Sequence, residues 1–505
     1  MSAEVRKSSV EINREVHKGT GQTVCQADII VPDTMPDALK VLQVDGRAVF
    51  VSTVVSKGKI SVSGHVDCNL LYVPENARGV KSIDYEIPFT YSENIPGAEE
   101  DMFFLAKCQV SHIEYQLVNS RKISVKAVVE AENEVIGKEE VSYVCGVEGD
   151  NAQYQTTLLK GRNRIVCKCT EFTVSDSIAM PKNAAGIMKC DSEIKSKDVK
   201  VINNKVVAKG MIEVCLLYIN SDDMPECEKT AMQFTEILDA EGINENLICG
   251  VDYFIIGTDV HEQEGENGRE LKLEVSVRVC ITGEEKVEFT AITDIYGTDV
   301  RLVPEVEKIA INEKGEAQET MVQLREIVSL PEGMPEVSKT VGIQVKPVME
   351  SCGVSGSGIK VDGEAICYLT YISEKEDALI QTAVFNLPFS GSMSFDTEGA
   401  KEATAEVETQ SAECSISGNN IELRIQMKIT AETMNRKEYT IVKNITEEEE
   451  EEGDRPAMVL YFVQKGDTVW EIAKRYHSKI GDIEAINKID GDNIKEGMML
   501  LIPKK

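Results

Sequence analysis

The chain has 505 residues, 42% of them hydrophobic and 28% charged, with only 5% aromatic and one Trp. Length alone asks for about three or four domains, and a net charge of −32 excludes the basic face that nucleic-acid binding needs. No window approaches the roughly twenty apolar residues of a membrane span, and no export signal is expected ahead of Val5.

In chain order, the first strand signal is QTVCQADIIV (Gln22 to Val31), followed by a Met-Pro pair at Met35-Pro36. The same pair returns at Met180-Pro181 and Met334-Pro335. A Gly follows each Pro at closely held spacing, 36→64, 181→210 and 335→363, and a Tyr stands 8 residues beyond each Gly, at Tyr72, Tyr218 and Tyr371. Such repetition marks three copies of one unit. Inside the Gly-to-Tyr segment the alternate positions are Val66, Cys68, Leu70; Ile212, Val214, Leu216; and Ala365, Cys367, Leu369. A period of two with one apolar face is a half-buried strand. Cys68 and Cys367 fall on the inward row as small hydrophobes, whereas Cys215 falls one position off it, against any shared metal or catalytic role.

Each copy goes on to IPF (Ile87 to Phe89), a looser context around Phe234, or LPF (Leu387 to Phe389). Each closes with an alternating run: KISVKAVVEAE, ELKLEVSVRVC and IELRIQMKITAE. The fold class predicted is mainly β, with three β-rich repeat domains built as sandwiches or partly closed barrels over 1–140, 141–292 and 293–445. Pro in the Met-Pro pair suits a turn or strand start, where its missing N–H does no harm. The 14 cysteines show no C-x-x-C spacing, and their closest pair is Cys167 and Cys169. Reduced thiols are expected. His17, His65, His112, His261 and His477 stand near no matching Cys pair, so no metal and no cofactor is expected.

From Thr446 the sequence reads TEEEEEEGDR. Six Glu in a row repel one another and bury nothing, so 446–457 is predicted to be a solvated linker. The tail then changes character: its eight Lys or Arg against seven Asp or Glu leave it at +1, and the rest of the chain at −33. Tyr461 to Val463 predicts a short strand, Gly466-Asp467 a turn, and Thr468 with Glu471 a capping box. Val469, Ile472, Ala473 and Tyr476 form a buried helical stripe. A second helix carries Ile483 and Ile486, and MLLIP (Met499 to Pro503) closes a βααβ domain over 458–505.

The order of features in the three copies resembles the spore-coat-associated SPOCS repeat of endospore-forming bacteria. The tail resembles a LysM domain along its whole length, through Tyr-x-Val-x-x-Gly-Asp-Thr-Val-Trp-x-Ile-Ala, then Ile-Asn, Gly and Leu-x-Ile-Pro. That resemblance implies a ligand groove with Gly466, Asp467, Thr468 and Val469 on one side and Ile489, Asp490, Gly491 and Ile494 on the other. Turn and cap geometry by itself would also select Gly466, Asp467 and Thr468. Trp470 stands off the centre of the buried stripe and is expected to be partly exposed as a binding hot spot, or else to flank the small core.

Three SPOCS-like units, an acidic linker and a LysM-like tail together resemble spore coat morphogenetic proteins. The resemblance implies a non-enzymatic adaptor in the mother-cell cytoplasm at the forespore surface. Its partners would be the basement-layer coat ATPase and other coat proteins. The alternative is a module for peptidoglycan, the glycan of N-acetylglucosamine polymers. Enzyme motifs are lacking: HEQEG at His261 has no second zincin His, GVSGSG (Gly353 to Gly358) lacks the P-loop Lys, and there is no G-x-S-x-G.

Overall fold

The alternating rows become strands in the computed structural model, which describes residues 4–76, 79–149, 151–265, 268–356, 358–373, 375, 380–394, 402–417, 420–448, 457–491 and 493–503. The first unit has six: β1 (Glu4–Ile30), β2 (Ala38–Ser56), β3 (Lys59–Pro74), β4 (Lys81–Asn94), β5 (Phe103–Asn119) and β6 (Lys122–Glu148). They form two antiparallel sheets, ordered β2-β3-β4 and β1-β6-β5. Val66 and Leu70 of β3 meet Val125 and Val129 of β6 in one core. This is a sandwich, not a barrel.

The second unit repeats the plan with β7 (Ala152–Ala179), β8 (Ala184–Ile202), β9 (Lys205–Asn220), β10 (Pro225–Asp239), β11 (Ile248–Gly265) and β12 (Gly268–Gly297). Its sheets are β10-β9-β8 and β11-β12-β7. In the third, the first strand is split into β13 (Arg301–Lys314) and β14 (Gln318–Ser329), before β15 (Val337–Ser355), β16 (Gly358–Ser373), β17 (Ile380–Ser394), β18 (Glu402–Ser417) and β19 (Asn420–Glu448). The closing strands β6, β12 and β19 run on past 140, 292 and 445. The expected linker is corrected at its start: Thr446 pairs with Val303 and Glu448 with Arg301, because the unpaired edge of β13 captures them. Residues 449–456 lie outside the described residues.

The repeated spacing has a packing cause. Tyr72 and Tyr371 are fully buried, and each hydroxyl donates to the carbonyl of its own Met-Pro proline, Pro36 at 3.0 Å and Pro335 at 2.9 Å. In the second unit, where the spacing is one longer, Tyr218 donates to Glu226 instead (3.1 Å). Gly64, Gly210 and Gly363 each face a bulge in the preceding strand: a Cβ there would lie 2.0, 2.5 and 2.3 Å from the carbonyl oxygens of Val49, Ser196 and Val348. Phe89, Phe234 and Phe389 stand directly across from these glycines in the register. The motifs are thus structural. Gly64→Ala must push a backbone carbonyl aside, and a loss of about 2 kcal/mol is expected in urea unfolding. An unchanged midpoint would refute that account.

The units are not beads on a string. Ile12, Tyr143, Leu159, Phe289, Ile309 and Ile441 come from β1, β6, β7, β12, β13 and β19 and share one core where the three long strand pairs meet. Beside it lies a polar layer. The Asn13 N–H donates to the Asn163 side chain (2.8 Å), and Asn163 donates to the Glu11 carbonyl (2.6 Å), tying β1 to β7 outside any sheet. Arg164 pairs with Glu134 at 2.6 Å and Glu284 at 3.4 Å, and Lys314 pairs with Glu284 at 3.0 Å. Charges from all three units therefore neutralise one another in the middle.

The expectation that all thiols are free is also corrected. Cys169 and Cys280 are directly paired across β7 and β12 and form a disulfide, a juxtaposition that sequence spacing does not reveal. Cys68 and Cys367 are buried core residues, and burial pushes the Cys68 thiol up to about 12.

Candidate functional site

The tail folds as β20 (Met458–Phe462), α1 (Val469–Tyr476), α2 (Ile480–Asn487) and β21 (Met499–Pro503), with β20 and β21 antiparallel. Gly466 takes φ +92, a left-handed conformation that favours glycine and turns the chain into the helix. Thr468 caps α1: its hydroxyl accepts from the Glu471 N–H (3.2 Å), while the Glu471 carboxylate accepts from the Thr468 N–H (3.4 Å). Asp467 accepts from the Tyr461 hydroxyl (2.6 Å) and the Gln464 N–H (2.8 Å), which hold its carboxyl below the usual range. Arg475 donates to the same Tyr461 oxygen at 3.0 Å. Asp467 and Thr468 are therefore engaged in building the turn and the helix start.

On the opposite loop, Gly491 also has positive φ (+55), and its N–H donates to Glu484 (3.1 Å). Asp490 and Gly491 are exposed, while Ile489 and Ile494 are half-buried and pack on the same apolar cluster as Val469. The residues of the expected groove divide accordingly. Gly466, Asp490 and Gly491 are open, Ile489 and Ile494 offer partial apolar surface, and Val469 is buried. Asn487 clamps α2 to β21 through hydrogen bonds to and from Leu501, both 2.7 Å. Ile483 is core, but Ile486 faces solvent because the helix has only one covered side.

Trp470 takes the second of its two expected places, in the flank of the small core. It is 8% exposed, and the residue that covers it belongs to the second unit: Tyr296, at the end of β12, stacks edge-on with ring centroids 5.1 Å apart. The indole N–H donates to Asp294 (2.8 Å), and Lys474 reaches the other oxygen of that carboxylate at 2.5 Å. The Tyr296 hydroxyl donates to the Ser478 carbonyl (2.8 Å), and His477 Nδ1 donates to the Gly297 carbonyl (2.9 Å). Tyr296 is thus part of the tail's own core. The tail rests on the end of β12. Asp294, Tyr296 and Gly297 escaped sequence reading because they look like any strand end, far from the tail in the chain.

On the other side of the β20–β21 ribbon, Met458, Leu460, Phe462 and Met499 are all more than half exposed. They alternate with the inward Tyr461, Leu500 and Ile502, so one face builds the core and the other presents apolar surface.

The family model described as SipL, SPOCS domain matches residues 37–118 and 183–262, and the LysM domain model matches 461–503. The chain thus carries two segments similar to the SipL SPOCS domain and a LysM domain near its C-terminal end. The matched SPOCS segments take in β2 to β5 and β8 to β11, and the third unit has the same two-sheet plan in the structure. No curated protein and no solved structure matches the chain. SPOCS and LysM are non-catalytic binding domains, and their matches support a sporulation-related protein of the binding or adaptor type. Among the described residues no helix is long and apolar enough to cross a membrane.

Proposed function

We propose that the chain is a non-enzymatic adaptor of endospore coat assembly, working in the mother-cell cytoplasm at the forespore surface. Its LysM domain docks onto the basement-layer morphogenetic ATPase, and the SPOCS units recruit other coat proteins. The groove contributes Gly466, Ile489, Asp490, Gly491 and Ile494. The observation that carries a polypeptide ligand is the apolar face of Met458, Leu460, Phe462 and Met499, a contiguous patch of the kind that protein partners cover. Burial of Trp470 against Tyr296 adds to this, since it removes the domain's one indole from service as a sugar-stacking platform.

Full-length chain on beads is expected to retain the purified ATPase. Phe462→Ser, on the solvent side, should weaken capture by on the order of 2 kcal/mol without altering the melt. Peptidoglycan is the competing ligand. If the full chain sediments with purified peptidoglycan and fails to retain the ATPase, the adaptor reading is wrong.

A further inference from the structure

Where the first unit's β2-β3-β4 sheet packs on the second unit, three metal-ligating side chains converge. His65 and Asp67 lie two apart on β3, on the face opposite the core row of Val66 and Cys68. Pairing of β3 with β4 sets Glu86 directly beside Asp67. His65 Nε2 is 3.0 Å from Asp67 Oδ1, and one ligand atom from each of the three residues lies within 4.8 Å of the others. A bound divalent ion holds adjacent ligand atoms about 3 Å apart, so His65 and Asp67 already stand at the right separation. Glu86 is exposed, so its carboxylate can turn toward them.

The surroundings favour a cation. Glu86 and Asp259 of β11 act on the Asp67 carboxylate as like charges, and His65 and Arg47 as opposite ones. Arg47, across from Asp67 on β2, also points its guanidinium at the Ser192 carbonyl of β8 (3.5 Å). Asp67, Glu86 and Asp259 thus gather near a seam where Arg47 stands among them. The counterparts of His65 and Asp67 are Met211 and Glu213 in the second unit and Glu364 and Ile366 in the third, aligned on Gly64, Gly210 and Gly363. Neither copy keeps the imidazole. The repeat's architecture therefore does not require this group of side chains.

We propose that His65, Asp67 and Glu86 bind one divalent transition cation of the manganese or zinc class, with water completing its shell. One imidazole and two carboxylates, with no thiolate, suit this class. Bound there, the ion ties β3 to β4 and offsets the carboxylate excess at the seam between the first two units. A search for finger-type Cys and His spacing could not find it, because Glu86 joins the set only through strand pairing.

The test uses full-length protein stripped with chelator and titrated with Mn2+, the free ion being followed by its electron paramagnetic resonance signal. Mn2+ is chosen because it is indifferent to the chain's thiols. One ion per chain should be taken up, with a rise in melting temperature. His65→Ala and, separately, Glu86→Gln should each weaken uptake on the order of tenfold and abolish the rise. Glu86 is exposed, so its variant is expected to fold normally. Uptake equal in wild type and in both variants would mean ions scattered over surface carboxylates, and would overturn the proposal. So would the absence of uptake by wild type.

Discussion

Glu134→Gln is expected to destabilise the chain by about 3 kcal/mol at pH 7, because it leaves the buried Arg164 guanidinium without its closest counter-charge. The two side chains are 20% and 7% exposed and 2.6 Å apart. Burial raises the Glu134 carboxyl, but the attraction of Arg164 and its hydrogen bond, with help from Lys314 and Lys18, outweigh burial and hold it below its ordinary value. A carboxyl lowered in the folded state stabilises fully above its unfolded pKa, about 4.3. The contribution disappears as pH falls through the lowered folded value. The gap between wild type and variant, read from urea midpoints, should therefore be widest near neutrality and close below about pH 4. A gap that stays constant with pH would show that the pair contributes nothing through its charge. Since Arg164 belongs to the second unit and Glu134 to the first, the loss should appear as weaker cohesion between units.

Tyr296→Ala is expected to release the LysM domain from the end of β12, at a cost of about 3 kcal/mol in line with other buried aromatic truncations. The ring supplies a wall of the tail's core, and its hydroxyl holds the Ser478 carbonyl. Trp470 is the chain's one Trp, so indole emission, excited selectively over Tyr, reports on this contact alone. Emission should shift to the red as the indole meets water, and protease should separate the tail more readily. Asp294→Asn provides a milder case: it keeps a partner for the indole N–H and removes the charge that Lys474 faces. Unchanged emission in folded Tyr296→Ala would mean that the tail does not rest there.

The contrast between Gly466 and Trp470 shows what kind of information a sequence holds. Gly466, Thr468 and Glu471 were readable because a turn and a capping box are settled by backbone chemistry within a few residues. Trp470 was not, because its cover comes from a residue 174 positions earlier in the chain, at 296. The thiols divide in the same way. The inward row that buries Cys68 and Cys367 follows from period-two alternation, whereas the bond between Cys169 and Cys280 follows from register. Likewise the acidic run looked like a tether from its start, yet its first residues pair with β13, since an open strand edge supplies hydrogen bonds that composition cannot foresee.

By itself the sequence determined three copies of one β unit, the inward row of each copy, and a capped βααβ tail of LysM type. All of these are written in spacings of one to about forty residues, where steric and hydrogen-bonding rules act locally. Only the tertiary structure decided that the units are sandwiches fused through a shared core and an ion layer, that the tail leans on the second unit, and that Glu86 stands beside Asp67. Those outcomes depend on which distant strands meet and in what register, and the free energy that selects them belongs to contacts that exist only once the chain has folded.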